Sequence, residues 1–347
     1  MKSKNLSEKI LRSVKSKGFK YIELPSVIEA NHIVQRSGEN FRKFMFSFTD
    51  INGKELCLRP DLTIASSLRY LDEKLKGKEK IFYSGQAYRK VQSKKDKIIR
   101  NQVGFEILGS KDEKNDDKEI INTSLKILQD FKFSSGMLTI GNIEIFNLLI
   151  SKLDIPKRWK LRLSRHFWRE EYFNDLLKRL ETNADIDPTI VEIDKKRYLD
   201  LLNKNPETMI AGRSVGEILK RFDTKIKDPR QAKRGNKVSK IIKSFLKISC
   251  PINKAATELN KFFKKHKINL VVDQRYFPIS SNKLSKLNVK FSTSFGRYLE
   301  YYSGMVFKIE VKSKSKTIKC AGGRYDRLIS DLGSKKQVPA VGAAFNL

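Results

Sequence analysis

Four stretches of this sequence carry polar side chains that suit the recognition of a small polar ligand. In the first, Leu58-Arg-Pro-Asp-Leu-Thr63, a predicted strand leads into a predicted helix. Asp61 stands at the N-cap position, which Asp is well suited to fill. From there, Asp61 and Thr63 could present a carboxylate and a hydroxyl to a pocket at the sheet edge. Helix capping by itself is the simpler explanation of Asp61, and both interpretations stay open.

The second stretch contains Tyr88-Arg89, a polar loop and the predicted strand Asn101–Leu108. Because side chains alternate between the two faces of a strand, Gln102, Gly104 and Glu106 share one face. Such a face is a poor core surface but a suitable floor for a polar ligand. A buried Glu106 would need a cationic partner, which an ammonium or imidazolium ligand would provide. A solvated sheet face is the alternative.

The third stretch, Phe295-Gly-Arg-Tyr-Leu-Glu-Tyr-Tyr-Ser-Gly304, brings Arg297, Glu300, Tyr301 and Tyr302 to the start of a predicted strand. Tyrosine hydroxyls on rigid aromatic rings suit the recognition of a small polar ring. Two half-buried strand tyrosines would produce the same pattern, so this stretch by itself does not predict a site.

The fourth stretch is Cys320-Ala-Gly-Gly-Arg-Tyr-Asp326, with two glycines between a predicted strand and a predicted helix. Gly322 and Gly323 would let a ligand approach the backbone closely, and the helix N-terminus would favour an anionic group such as a carboxylate. Any tight strand-to-helix turn would use the same glycines, so the signal is weak by itself.

The elements that position these stretches predict an α+β fold, an antiparallel sheet flanked by helices, because strand pairs with tight turns outnumber strand–helix–strand alternations. The turn Asn52-Gly53 predicts a hairpin. Residues 111–119 are expected to be a polar connector and residues 228–236 an exposed loop. The predicted core covers 1–150 and 265–347, and 151–264 is predicted to be a helical insertion. The later strands are predicted at 137–140, 269–273, 290–294, 305–311, 317–321 and 340–345.

Composition excludes several classes of protein. The 347 residues contain no apolar run long enough for a membrane span, and the polar N-terminus does not resemble a secretory signal. Three widely separated cysteines argue against a disulfide framework and for a reducing compartment. Three histidines without metal-ligand spacing argue against a histidine-ligated metal site, and we expect no cofactor.

The formal net charge of +33 suggests nucleic-acid binding, but its distribution argues against it. Residues 1–100 carry +12, residues 101–200 carry −1 and residues 201–347 carry +22, so the charge is spread along the chain. The cations are 51 Lys and 21 Arg, whereas groove reading favours Arg. A lysine-rich, solvated surface is therefore the preferred interpretation.

Taken together, the four stretches resemble the catalytic core of histidyl-tRNA synthetase and of its paralogue, the regulatory subunit of ATP phosphoribosyltransferase. Leu58-Arg-Pro-Asp-Leu-Thr63 resembles the LRPE-x-T segment, and Tyr88-Arg89 through Glu106 resembles the second class II motif. Leu299-Glu-Tyr-Tyr302 resembles the histidine-specific LDYY motif, and Ala321-Gly-Gly-Arg-Tyr-Asp326 resembles AGGRYD. Gly18–Pro25 and Pro339–Gly342 resemble the dimer-interface motif and the start of the third motif.

The resemblance implies a class II aminoacyl-tRNA synthetase-like fold with a histidine pocket. Acceptors for an ammonium group and an imidazole N–H would come from carboxylates and an amide, and an arginine would face the ligand carboxylate. Asp61 stands where the synthetase pattern has the longer Glu. The implied histidine-binding residues are Asp61, Thr63, Arg89, Gln102, Glu106, Arg297, Tyr301, Tyr302, Gly322 and Gly323.

Departures from the synthetase pattern favour the regulatory paralogue. The second motif reads Tyr88-Arg-Lys-Val-Gln92 where the synthetase has FRHER, so a Glu and an Arg near ATP are missing. The sequence stops at Leu347, and we expect no anticodon-binding domain. The resemblance then implies a non-catalytic, cytoplasmic histidine sensor. It would form a homodimer within a hetero-oligomer with a short-form catalytic subunit, without nucleic acid or membrane.

Arg297 keeps a second function open. It falls where the synthetase has a catalytic Arg before LDYY, so a truncated synthetase-like enzyme that forms histidyl-adenylate is the alternative.

Overall fold

The computed structural model describes residues 2–37, 39–91, 97–131, 133–182, 196–210, 212–226, 232–279, 286–297, 301–313 and 316–347. By packing, the chain divides into two compact units. The sheet unit comprises residues 1–145, 249–260 and 272–347, and the helical unit comprises residues 146–248 and 261–271. The domain limits at residues 150 and 264 stay a prediction. Within the described ranges, no helix is long and apolar enough to cross a membrane.

The sheet unit is built on nine described strands in the order β1-β5-β6-β14-β13-β12-β7-β11-β10. Neighbouring strands are antiparallel, except that β1 pairs with β5 and β7 with β11 in parallel. This mixed architecture confirms the predicted α+β class. The strands are β1 Lys20–Tyr21, β5 Glu79–Tyr88, β6 Ile99–Leu108, β7 Ser135–Asn142, β10 Ser249–Pro251, β11 Leu287–Ser292, β12 Met305–Ser313, β13 Lys316–Arg324 and β14 Ala340–Asn346.

Alternation along β6 follows the sequence prediction. Val103, Phe105 and Ile107 are buried, and the Phe105 ring stacks against Phe345 of β14 with ring centroids 6.3 Å apart. The opposite face carries Gln102 and Glu106. In the β6–β14 pair, Glu106 lies opposite a glycine, which leaves room beside its carboxylate.

A second, three-stranded sheet holds the start of the first motif. Its strands are β2 Val27–Glu29, β3 Ser47–Thr49 and β4 Glu55–Leu58, in the order β2-β4-β3. The hairpin predicted around Asn52-Gly53 is confirmed, and Gly53 takes the positive φ of 77° that the turn requires. Helix α3, Leu62–Asp72, begins directly after β4, and its N-cap is Asp61.

Three expectations about local structure are wrong. Residues 113–119 of the predicted connector belong to a helix, since acidic Glu113 and Asp116 in its first turn suit a helix N-terminus. Residues 269–273 form no strand. Residues 232–236 of the predicted loop lie in a helix, while 228–231 fall outside the described residues. The helices of the sheet unit that precede strand β7 are α1 Lys2–Lys15, α2 Ala30–Ser37, α3 and α4 Glu113–Gln129.

The remaining helices build mainly the helical unit. Its core is aromatic: the Phe146 and Phe167 rings stack with centroids 3.7 Å apart, and the Trp159 side chain is fully buried. A short pair of strands, β8 Met209–Ile210 and β9 Arg213–Ser214, precedes one of the helices. The helices, in chain order, are α5 Ile143–Lys152, α6 Lys157–Arg165, α7 Glu170–Thr182, α8 Val215–Ile226, α9 Ala232–Phe245, α10 Ala255–Lys265 and α11 Leu328–Asp331.

Candidate functional site

A polar cavity of about 260 Å³ lies in the sheet unit, where the start of α3 faces strands β6, β13 and β14. The four stretches that the sequence singled out meet here; Tyr301 of the third, for example, contacts Asp61 of the first, 240 residues earlier in the chain. Eight of the predicted binding residues line the cavity: Asp61, Thr63, Arg89, Gln102, Glu106, Tyr301, Tyr302 and Gly322.

Glu106 is the buried acceptor on the cavity floor, with 1% of its surface exposed. The Tyr83 hydroxyl donates to its Oε1 at 2.5 Å, the Thr63 hydroxyl donates to the same oxygen at 3.1 Å, and the Tyr325 hydroxyl donates to Oε2 at 2.5 Å. Burial raises the pKa of Glu106 to about 7, although these hydroxyl donors oppose the rise. The solvated sheet face considered for this strand is therefore wrong.

Two glycines make space for this carboxylate and its donors. A Cβ on Gly342 would lie 1.3 Å from Glu106 Oε2, so no larger residue fits opposite Glu106. A Cβ on Gly104 would lie 2.4 Å from the Tyr83 ring, which packs across the strand at that position. Gly104 thus serves the site by admitting Tyr83 to the face that carries Glu106.

Asp61 has both of the roles that the sequence left open. Its Oδ1 accepts hydrogen bonds from the backbone N–H groups of Thr63 at 2.9 Å and Ile64 at 3.2 Å, which caps α3. Its Oδ2 faces the cavity, where the Tyr301 hydroxyl donates to it at 3.3 Å and Arg89 Nη2 lies 3.6 Å away. One carboxylate therefore fixes the helix start and contributes a charge to the site.

Arg89 and the two tyrosines complete the cavity opposite Glu106. Arg89 Nε donates to the Pro60 carbonyl at 2.8 Å, which holds the guanidinium beside Asp61. The Tyr301 ring contacts Tyr302 and Tyr325 edge to face, with centroids 5.0 and 5.8 Å apart. Burial, followed by nearby carboxylate charge, raises the pKa of both Tyr301 and Tyr302. Both hydroxyls therefore stay protonated and can donate at neutral pH.

The fourth stretch differs from its predicted structure. Gly322 and Gly323 lie inside strand β13 and not in a turn. Helix α11 begins only at Leu328 and has four residues. The prediction of an anion site at a helix N-terminus directly after these glycines is therefore wrong. The glycines are needed for close packing instead. A Cβ on Gly322 would lie 2.1 Å from the Gly342 carbonyl oxygen of β14.

Arg324 and Asp326 of the same stretch hold the backbone next to Tyr302. Buried Arg324 donates to Asp117 Oδ1 through Nε at 2.9 Å and Nη2 at 2.7 Å, and to Asp326 Oδ1 through Nη1 at 2.9 Å. The Ser303 N–H donates to the Arg324 carbonyl at 2.8 Å, and the Ser303 hydroxyl accepts from the Asp326 N–H at 3.0 Å. This network positions the two tyrosines.

Two predicted binding residues lie outside the cavity lining. Arg297 is 8% exposed and follows Gly296, whose φ of 100° turns the chain, but its side chain does not line the cavity. Gly323 is also outside the lining, and a Cβ there would lie 2.9 Å from the Tyr302 ring. Leu299 and Glu300 fall outside the described residues.

Sequence reasoning missed four polar lining residues, which are Tyr83, Arg100, Tyr325 and Asn346. Tyr325 stands inside the fourth stretch and Tyr83 is the register partner of Gly104 in the β5–β6 pair. A glycine in mid-strand marks a close approach, and that signal could have pointed to Tyr83. Arg100 carries no such signal.

In the part of the chain that the structure describes, no three His, Cys, Asp or Glu side chains are grouped so that they could hold a metal ion.

Comparison with known proteins identifies the family. A family model described as histidyl-tRNA synthetase matches residues 1–347. The ATP phosphoribosyltransferase regulatory subunit of Agrobacterium fabrum is 26% identical over 338 residues, which cover 92% of this chain and 89% of that protein.

Two solved structures share the fold. One, from Bacillus halodurans, is described as an ATP phosphoribosyltransferase regulatory subunit/histidyl-tRNA synthetase; its TM-score is 0.58 at 21% identity, covering 99% of this chain and 76% of that one. The other is an ATP phosphoribosyl transferase (HisG:HisZ) complex from Thermotoga maritima, with a TM-score of 0.53 at 17% identity, covering 99% and 96%. Since the family model spans every residue and the solved structures share the fold, the chain belongs to the histidyl-tRNA synthetase family.

Proposed function

We propose that this protein is a non-catalytic regulatory subunit of ATP phosphoribosyltransferase that binds free histidine in the cavity of the sheet unit. The observation that carries the proposal is the buried Glu106, surrounded by three hydroxyl donors on the floor of a polar cavity. A buried carboxylate is stabilised by a cationic partner, and the ammonium group or the imidazolium ring of histidine supplies one. The curated relative named above, from Agrobacterium fabrum, supports the regulatory role.

Each pole of a histidine zwitterion has a complementary group in the cavity. Asp61 Oδ2 and Glu106 are acceptors for N–H groups, and Arg89 is a donor for the ligand carboxylate. Tyr301 and Tyr302 provide aromatic surface beside these charges. Gly322 lets strand β13, which forms one wall of the cavity, pack close to the backbone of β14.

The proposed assembly is a hetero-oligomer with a short-form catalytic subunit, in the cytoplasm, with this chain as a homodimer inside it. The catalytic subunit would bind ATP and phosphoribosyl pyrophosphate at the first step of histidine biosynthesis. Histidine would inhibit by binding the inhibited state of the assembly more tightly than the active state. The Thermotoga maritima complex, which shares the fold, supports such an assembly.

The test is a calorimetric titration of the purified chain with histidine. Glu106→Ala and Tyr301→Ala should abolish binding, whereas Glu310→Gln should not. Glu310 is a matched control because it also stands on a strand of the large sheet, but it pairs with Lys308 and Lys319 outside the cavity. Equal histidine affinity in all four proteins would refute the pocket.

Mixing with a short-form catalytic subunit tests the regulatory role. Activity should appear on mixing, and histidine should suppress it in the wild type but not in Glu106→Ala. Pyrophosphate exchange from ATP by this chain alone, dependent on histidine, would instead establish the adenylate-forming alternative. Arg297, which motivated that alternative, does not line the cavity.

A further inference from the structure

The helical unit contains an open cavity of about 930 Å³ whose walls are strongly basic. Helix α6 contributes Arg158, Arg162 and Arg165, whose spacing of four and three residues places them on one helix face. Strand β9 and helix α8 form the other wall. Among the described residues of this wall, the lining cations are Arg213, Lys220 and Arg221, and the lining carboxylate is Glu217.

The type of cation is not explained by composition. The chain has 51 Lys and 21 Arg, so about two of six cationic positions would be Arg if the residues were distributed at random. Of the six lining cations in the part of the chain that the structure describes, five are Arg. The guanidinium group binds phosphate through two parallel hydrogen bonds, which an ammonium group does not. A lysine-rich, solvated surface therefore does not account for this cavity.

The electrostatics of the cavity agree with its lining. Burial, followed by the charges of Arg165, Arg169 and Arg162, lowers the pKa of His166 to about 4. The lining carboxylate of Glu217 is directed to the backbone, where it accepts from the Ser214 N–H at 3.3 Å in a capping box. The cavity is thus a region of positive potential at neutral pH.

Apolar surface adjoins the cations. Tyr172 packs edge to face against His166 with centroids 4.8 Å apart, and Leu161 is 62% exposed beside them. Arg162 and Arg158 lie over the Trp159 ring at 5.3 and 5.8 Å, which restricts both guanidinium groups. A concave shape and a volume in the range of ligand pockets favour a small ligand over a nucleic-acid backbone, which needs an extended groove.

We propose that this cavity binds a small anion with two or more phosphate groups, held by arginines from both walls. A nucleoside triphosphate and inorganic tripolyphosphate are two sources of that chemistry, and Tyr172 with Leu161 would add contacts to the nucleoside. The proposal does not depend on histidine binding in the sheet unit.

The chain reports on this cavity through its own fluorescence, because its two tryptophans are Trp159 and Trp168, both in the helical unit. Titration of the full chain with tripolyphosphate or ATP, without metal ions, should change this fluorescence with saturation. Tighter binding of ATP than of tripolyphosphate would indicate contacts to the nucleoside. Equal affinities would indicate that the phosphates alone are bound.

A charge-matched pair of variants tests the site. The double variant Arg165→Gln with Arg221→Gln removes one exposed arginine from each wall, and we expect at least about tenfold weaker binding. Lys335→Gln with Lys336→Gln removes the same charge from exposed positions of the sheet unit and should change the affinity by less than about twofold. Arg165→Lys with Arg221→Lys keeps the charge but loses the paired hydrogen bonds, so it should weaken binding about threefold.

Three results would overturn the proposal. Equal weakening in the glutamine pairs of both units would show that net charge alone attracts the ligand. A fluorescence signal that rises linearly, without saturation, would show that no site exists. Saturable binding of a duplex oligonucleotide, with none for ATP or tripolyphosphate, would show a nucleic-acid surface. If the first glutamine variant fails to fold by circular dichroism, the lysine pair carries the test.

Discussion

Replacing Glu106 by Gln should change how the free energy of unfolding depends on pH. Glu106 is fully buried, and burial raises its pKa from 4.5 to about 7 in the folded protein. In the unfolded chain the same group titrates near its ordinary value, so the folded state binds a proton more tightly. Its contribution to stability is therefore fully present below about pH 4.5 and is lost as the pH rises through 7.

The size of the effect follows from the shift. Each pKa unit corresponds to about 1.4 kcal/mol. The raised pKa of Glu106 therefore lowers the free energy of unfolding of the wild type by about 3 kcal/mol between pH 4.5 and pH 8. The Gln variant cannot ionise and lacks this loss. Its hydrogen bonds with Tyr83, Thr63 and Tyr325 will differ from those of the carboxylate, but the difference is a constant offset across this pH range.

The measurement is urea unfolding at several pH values between 4.5 and 8, followed by far-ultraviolet circular dichroism. The stability of the variant minus that of the wild type should increase by about 3 kcal/mol over this range. Burial also raises the pKa of Asp117 to about 6, but Asp117 is present in both proteins and cancels in the difference. Glu310→Gln is the control and should show no such trend. Parallel curves for Glu106→Gln and wild type would refute a buried carboxyl group with a raised pKa.

Three further changes test the site and its supports. Gly342→Ala would place a Cβ against Glu106 Oε2, so urea unfolding should show a loss of about 1–3 kcal/mol in stability. The control is Gly216→Ala in α8, where the nearest atom to the new Cβ is 3.5 Å away, and it should be neutral or stabilising. If Gly342→Ala is as stable as the wild type, the packing described is wrong. Arg324→Gln removes the arginine partner of the buried Asp117 carboxyl, so the free energy of unfolding should fall by about 3–5 kcal/mol. A fall of less than about 1 kcal/mol would show that the network is solvated. Histidine binding near pH 7 should release protons, because an ammonium group beside Glu106 favours the ionised form of its carboxyl. Calorimetric titrations in buffers of different ionisation enthalpy measure this release, and identical binding enthalpies in all buffers would contradict it.

Local patterns predicted the elements that hold the site. The N-cap at Asp61, the hairpin around Asn52-Gly53 and the alternation along β6 depend on neighbouring residues, and the structure confirms all three. The predicted connector at 111–119 is wrong from residue 113 onward, because acidic residues, which are common in polar loops, also stabilise the first turn of a helix. The predicted turn at Gly322 and Gly323 is wrong, because glycine is common both in turns and in tightly packed strands.

The sequence by itself determined which residue types are available for binding, since motif order and strand alternation depend on chain position alone. Only the tertiary structure decided which of them share a cavity, because strand pairing across β5, β6, β14 and β13 joins residues distant in the chain. That pairing brings Tyr83 and Tyr325 to Glu106 and leaves Arg297 outside the lining. Burial, and with it the raised pKa of Glu106, is likewise a property of the packed sheet and its neighbours, which no local pattern encodes.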